Sequence, residues 1–258
     1  MKIRASLQIV LISPQFMAII SSKATIGAIT EKLLATYNSE GIDAFISQLD
    51  KKILQQKVRF PVLEYAGTML HNAIPSKKQL TVADQIIDLH QIGSNVFAGI
   101  ILQLRLEEHF AQSIEKAIEY IITSDEWYVC DIIGERVMGH GLLTHPKKML
   151  PTLHKLAKHE NKWIVRCIGV AAHYAIKKGL KKEYVENVFR LLLSLSNTTD
   201  FHTKKGIGWA AKTTAKFHPD IIDTYRKQID DATTKQWFKT KVKIGLSRTD
   251  KYAHRYNS

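Results

Sequence analysis

Apolar residues recur at helical spacing along nearly the whole chain, and that periodicity limits the fold more than any other feature. Ile114, Ala117, Ile118, Ile121 and Ile122 trace one stripe of a helix. Comparable stripes predict helices near residues 25–37, 41–55, 60–73, 79–90, 92–105, 107–122, 124–139, 146–159, 161–178, 181–195, 203–217, 219–230 and 233–245. No segment alternates in the manner of a strand. Gly41, Pro75, Gly93, Pro146, Gly179 and Pro219 punctuate the pattern. Gly179 follows Lys177 and Lys178, as at a helix C-terminus where cations meet the negative end of the dipole. Asn161 and Thr203 read as N-caps, and Thr123 with Glu126 three residues later reads as a capping box.

Short helices joined by short turns make antiparallel pairs, and from about residue 107 the pairs return every 35–45 residues. The expected fold is therefore all-α, a HEAT-like helical-repeat solenoid with a concave basic face. A chain of 258 residues can bury its core as one such domain, 1–258, with residues 1–22 poorly determined and 247–258 a flexible tail. The helices lining the inner face would be 124–139, 161–178 and 203–217.

Charge is divided unevenly. Residues 1–140 hold 13 Lys and Arg against 15 Asp and Glu, whereas residues 141–258 hold 24 against 9. The second half thus carries a net +15 within a total of +13, which suits a polyanionic partner, nucleic acid first. Cys130 and Cys167 both fall inside helical stripes, with neither a disulfide framework nor a zinc spacing, which fits a reducing cytoplasm. Lys2 and Arg4 precede an apolar run broken by Gln8, Pro14 and Gln15, so a secretory leader is disfavoured, and no membrane span is expected. His140, His145, His154 and His159 come without an HExxH pattern or a cysteine pair, so no metal is expected. GIGWA lies within a helix, not after a strand, and does not read as a phosphate-binding glycine loop.

Three stretches carry the chemistry. In TSDEWYVCDIIGERVMG, Trp127 and Asp131 are four apart and share a helix face. NKWIVRCIGVAAHYAIKKG carries Lys162, Trp163 and Arg166, and FHTKKGIGWAAKTTAKFHP carries Lys204, Lys205 and Trp209. Trp163 and Trp237 alone read as core residues. Asp131 could pair with Arg136 or Arg166 for structural reasons, and the run Lys177, Lys178, Lys181, Lys182 fits a solvated turn as well as a DNA contact.

Across roughly residues 124–222 these stretches resemble the AlkD-type DNA alkylation repair proteins, which are HEAT-like solenoids. The resemblance rests on WYVCD, on WIVRCIGVA and above all on KKGIGWAAKTTAKFHPD. It implies a glycosylase, without cofactor, that releases cationic N3- or N7-alkylated purines from double-stranded DNA. It also implies that the base stays in the duplex and that the enzyme acts on the exposed deoxyribose. Asp131, Trp127 and Trp209 would then be catalytic. Arg166 would hold the phosphate beside the lesion, and Lys162, Lys204 and Lys205 would add further phosphate contacts. No obligate protein partner follows. Two other readings share the same residues: a non-catalytic DNA-binding protein for damaged or branched DNA, and a HEAT-repeat protein scaffold.

Overall fold

The computed structural model describes residues 19–250. Most of the N-terminal apolar run and most of the expected tail lie outside those residues. Where the description begins, Ile20 bridges to Val58, the sole strand-like pairing among the described residues. At the other end Arg248 N donates to the Gly245 carbonyl at 3.0 Å, so the chain just past the last helix is still wound in turns.

The remainder is helical: α1 (Lys23–Glu40), α2 (Ile42–Leu49), a π-helical turn (Asp50–Leu54), α3 (Phe60–Ala73), α4 (Ser76–Ile87), α5 (Ile92–Leu104) and α6 (Leu106–Ser124). There follow α7 (Trp127–Ile133), a second π-helical turn (Gly134–Gly139), α8 (His140–Thr144), α9 (Pro146–Leu156), α10 (Lys162–Lys177) and α11 (Lys182–Ser194). The last four are α12 (Phe201–Phe217), α13 (Pro219–Thr224), α14 (Arg226–Asp230) and α15 (Gln236–Leu246).

Alternate helices stack in series. α1 packs on α3, α3 on α5, α5 on α7 and its π turn, that turn on α10, α10 on α12, and α12 on α15. The companion helices α4, α6 and α11 pack along this row. One continuous apolar core runs through it, from Ile26 and Phe45 through Phe97 and Ile133 to Phe189 and Phe238. Trp163 is buried in it and Trp237 packs against it, as expected of both. Cys130 and Cys167 are buried free thiols. The expected inner helices are thus consecutive members of one row.

Several caps differ from the sequence reading. Asn161 does cap α10, its side chain accepting from Trp163 N. Gly179 adopts φ +95° after α10, the left-handed geometry that glycine takes without steric cost. The Thr123–Glu126 capping box does not form. Apolar residues up to Ile121 are buried and hold α6 together through Ser124, so Thr123 lies in its last turn. Asp125 then breaks the chain at φ 49° and ψ 31°, and Glu126 caps α7 with no side-chain hydrogen bond. Thr203 is likewise not an N-cap. Asp200, three residues earlier, takes that role, its Oδ1 accepting from Thr203 N at 2.7 Å. Gly93 is inside α5, Ile122 is exposed, and residues 219–230 form two helices, broken at Tyr225.

The closest approach in the row is between α10 and α12. A Cβ on Gly169 would lie 2.1 Å from the Gly206 backbone, and one on Gly206 would lie 2.3 Å from the Arg166 carbonyl oxygen. Both positions need glycine because backbone meets backbone there. The two helices run in the same direction, since Arg166 reaches His202, Gly169 meets Gly206, and His173 meets Trp209 and Thr213.

Candidate active site and nucleic-acid interface

Asp131 and Trp127 are brought together by α7 alone. Trp127 is 55% exposed, and Tyr128 packs edge-on to it with ring centroids 6.0 Å apart. An indole left this open at the start of a helix is not core packing. Asp131, one turn on, is largely covered, its side chain 19% exposed.

Asp131 meets Arg166 of α10 in a two-pronged pair. Arg166 Nε donates to one carboxylate oxygen at 2.9 Å and Nη2 to the other at 2.8 Å. A third donor, Nη1, reaches the His202 carbonyl of α12 at 3.3 Å. Burial works against the guanidinium charge, and the Asp131 hydrogen bonds and charge more than restore it, holding Arg166 above its ordinary range. Planar pairing of this kind fixes both side chains. Arg136, the other candidate partner, instead pairs with Glu64 of α3.

Trp209 is set apart from that pair. It emerges one turn after Gly206 and stacks on His173, with centroids 3.8 Å apart and planes 24° apart. His173 lies two turns beyond Arg166 on α10, about 10 Å along the helix axis. Thr213 donates its hydroxyl proton to the Trp209 carbonyl at 3.0 Å, so it accepts from His173 Nδ1–H at 2.7 Å. Burial, followed by the charges of Lys177, Lys212 and Lys216, lowers the His173 pKa to about 3. The imidazole under Trp209 is therefore neutral, with Nε2 unprotonated.

The four predicted phosphate ligands are placed differently. Lys162 extends over the Trp163 ring and pairs with Asp125 at 3.4 Å. Lys205 covers the exposed ring of Phe201, and Lys204 is half-buried on the same first turn of α12. Arg166 faces Asp131. Trp163 Nε1 also donates to Asp125, which together with Lys162 lowers the Asp125 pKa.

Three neighbours escaped the sequence reading. His202 lies tilted against Trp163, ring centroids 4.3 Å apart, and supplies the carbonyl for Arg166. His173 follows Arg166 by seven residues on one helix, a spacing that could have pointed to it. Glu135 follows Asp131 by four residues and sits in the π-helical turn, a distortion frequent near functional sites. Burial pushes the Glu135 carboxyl up, Asp131 and Glu64 add to the rise, and Arg136 and Lys177 oppose it.

Two of the four histidines considered for a metal are used locally. His145 Nε2 faces Glu107 at 3.0 Å and His159 Nδ1 accepts from Asn161 N. Among the described residues no three His, Cys, Asp or Glu side chains group as metal ligands, and no helix is long and apolar enough to cross a membrane.

Serially stacked helices that carry a largely covered carboxylate–guanidinium pair beside an exposed tryptophan define an all-helical protein. The sequence pattern of the family described as DNA alkylation repair enzyme matches residues 55–239, and the chain belongs to that family. It is thus an enzyme of DNA alkylation repair. No curated protein shows a significant match. An engineered protein of known crystal structure is similar over 86% of this chain and 96% of its own, at 13% identity and a TM-score of 0.39.

Proposed function

We propose that the protein is a DNA glycosylase that releases cationic N3- and N7-alkylated purines from duplex DNA, using Asp131, Trp127 and Trp209. The observation that carries this reading is the Asp131–Arg166 pair beside the open face of Trp127.

A purine alkylated at N3 or N7 already bears positive charge, so it leaves without a general acid. Cleavage of the bond between C1′ and the base nitrogen sends the bonding pair to the purine, which departs neutral. Positive charge builds on the sugar, as in glycoside hydrolysis. The Asp131 carboxylate stabilises that charge from a fixed position and takes the proton of the water that adds at C1′. Removing one such preorganised group costs on the order of 3–4 kcal/mol of transition-state stabilisation, or ~10²–10³-fold in rate. The faces of Trp127 and Trp209 add cation–π attraction of about 1–2 kcal/mol each once water is excluded. Lys162, Lys204 and Lys205 hold the backbone, together forming the basic concave face. Arg166 both orients Asp131 and offers its remaining N–H groups to a phosphate.

The same ion pair also favours a second reading. A carboxylate already matched by a guanidinium suits a structural strut, and the protein would then bind damaged DNA without cutting it. Release of N3-methyladenine and N7-methylguanine from methylated duplex DNA separates the two. Under the glycosylase reading the wild type releases both bases and Asp131→Asn loses ~10²–10³-fold. Duplex binding with no base release by the wild type would establish the second reading.

A further inference from the structure

The C-terminal ends of α4 and α6 and the first turns of α5 and α7 surround a cavity of about 410 Å³, within the range of roughly 300–1,000 Å³ usual for small-molecule sites. Its polar walls include Asp84 and Asp88 at the end of α4, Asn95 of α5, Lys116 and Glu119 of α6, and Glu126 at the start of α7. The two companion helices are tied together there. Tyr120 donates its hydroxyl proton to Asp84 at 2.7 Å, and Lys116 bridges Asp84 at 3.0 Å and Glu119 at 2.8 Å.

Four carboxylates thus face one ammonium, in the half of the chain where positive charge is not in excess. Lys116 is taken up by Asp84 and Glu119. Asp88 and Glu126 lie exposed at the rim, and among the described residues their side chains enter no ion pair or hydrogen bond. Burial raises the Tyr120 pKa, and Asp84, Glu119 and Asp88 raise it further, as a negative potential requires.

Asn95 is a second and independent pointer. It is only 6% exposed, and its Nδ2 donates back to the Gln91 and Ile92 carbonyls of its own helix at 3.2 and 3.4 Å. Its Oδ1 is left at the cavity with no donor among the described residues. A buried amide oxygen is costly to leave unpaired, so this one calls for an N–H from the occupant. Among the described residues no three His, Cys, Asp or Glu side chains group around a metal ion, so these carboxylates suit a cation that is itself extended. Ile87, Val129 and the rings of Tyr120 and Tyr128 offer apolar surface to its carbon chain.

We infer that this cavity binds a small organic cation through an alkylammonium group, which donates to Asn95 Oδ1 and is matched in charge by Asp84, Asp88 and Glu126. The cavity backs onto Trp127 through Tyr128 but includes neither Trp127 nor Asp131. The inference therefore does not depend on the glycosylase reading, and base release is not its readout.

The test is isothermal titration calorimetry of the full chain with 1,4-diaminobutane, at ionic strength held constant with sodium chloride. One saturable site is expected. Its affinity should fall about tenfold or more in Asn95→Ala and in the double variant Asp88→Asn/Glu126→Gln, each of which loses a hydrogen bond or ion pair to a charged group. The rim residues are exposed and Asn95 bonds only within its own helix, so these variants keep the fold. Glu31→Gln, an exposed carboxylate on α1, should bind as the wild type does. The peptide acetyl-Gly-Lys-Gly-amide carries the same ammonium on a protein side chain. Binding of the peptide in place of the diamine, lost in the same variants, would support the site and assign its cation to a partner protein. No binding of either probe, or binding that is equal in all the variants, would overturn the site.

Discussion

Acid should destabilise this protein through His173 in particular. The ordinary histidine pKa near 6.5 describes the unfolded chain, and the folded chain holds His173 at about 3. Between those values the unfolded state binds more protons than the folded one, so stability falls as pH falls. Integrating the two titrations at about 1.36 kcal/mol per unit gives a loss of ~0.2 kcal/mol at pH 7 and ~2 kcal/mol at pH 5. Burial also lowers the pKa of His71, His140 and His218, so the wild-type slope sums several groups. The His173→Phe variant isolates the one of interest, because phenylalanine keeps a ring against Trp209 and cannot take a proton. Urea unfolding of both proteins at pH 7 and pH 5 measures the difference. The stability of the wild type relative to the variant should drop by about 2 kcal/mol between the two conditions. A difference that does not change with pH would refute the claim that burial and lysine charge keep the imidazole neutral.

Other consequences follow from single contacts. Gly169→Ala places a methyl group on the Gly206 backbone and should cost about 3 kcal/mol or more, read as a lowered urea midpoint. Glu135 has a raised folded pKa, so its contribution to stability declines as pH rises through its titration. Glu135→Gln should therefore gain on the wild type as pH increases from about 4 upward, and equal urea midpoints across that range would contradict it. Trp163→Phe removes the donor that does most to lower the Asp125 pKa, so that pKa should rise in a carboxyl NMR titration.

Much of the helical outline was legible because its cause is local. Apolar stripes are buried wherever a row of helices packs, and α3 spans the same residues as its stripe. The local signals that failed were overridden by packing. Thr123 and Glu126 spell a capping box, yet buried Ile121 draws α6 beyond it. Thr203 has the chemistry of a cap, but Asp200 three residues earlier competes with a charged acceptor. The site was legible where its members share a helix or a motif, as with Trp127 and Asp131. Its cross-helix members were not. Trp209 comes 36 residues after His173, and only the packing of α10 on α12 makes them neighbours.

The sequence by itself determined the all-helical class, the concentration of positive charge in the second half and the family to which the chain belongs. Each of these depends on residue type and short-range spacing. Tertiary structure alone decided which charges meet. It turned Arg166 onto Asp131, left Trp127 open, and placed His173 under Trp209 as a neutral base. It also gathered Asp88, Asn95 and Glu126 around one cavity. The meetings among α10, α12 and α15 follow from the glycine-mediated contacts at Gly169, Gly206 and Gly245. Backbones that touch there set the register of three helices, and register determines which distant side chains come within hydrogen-bonding and Coulombic range.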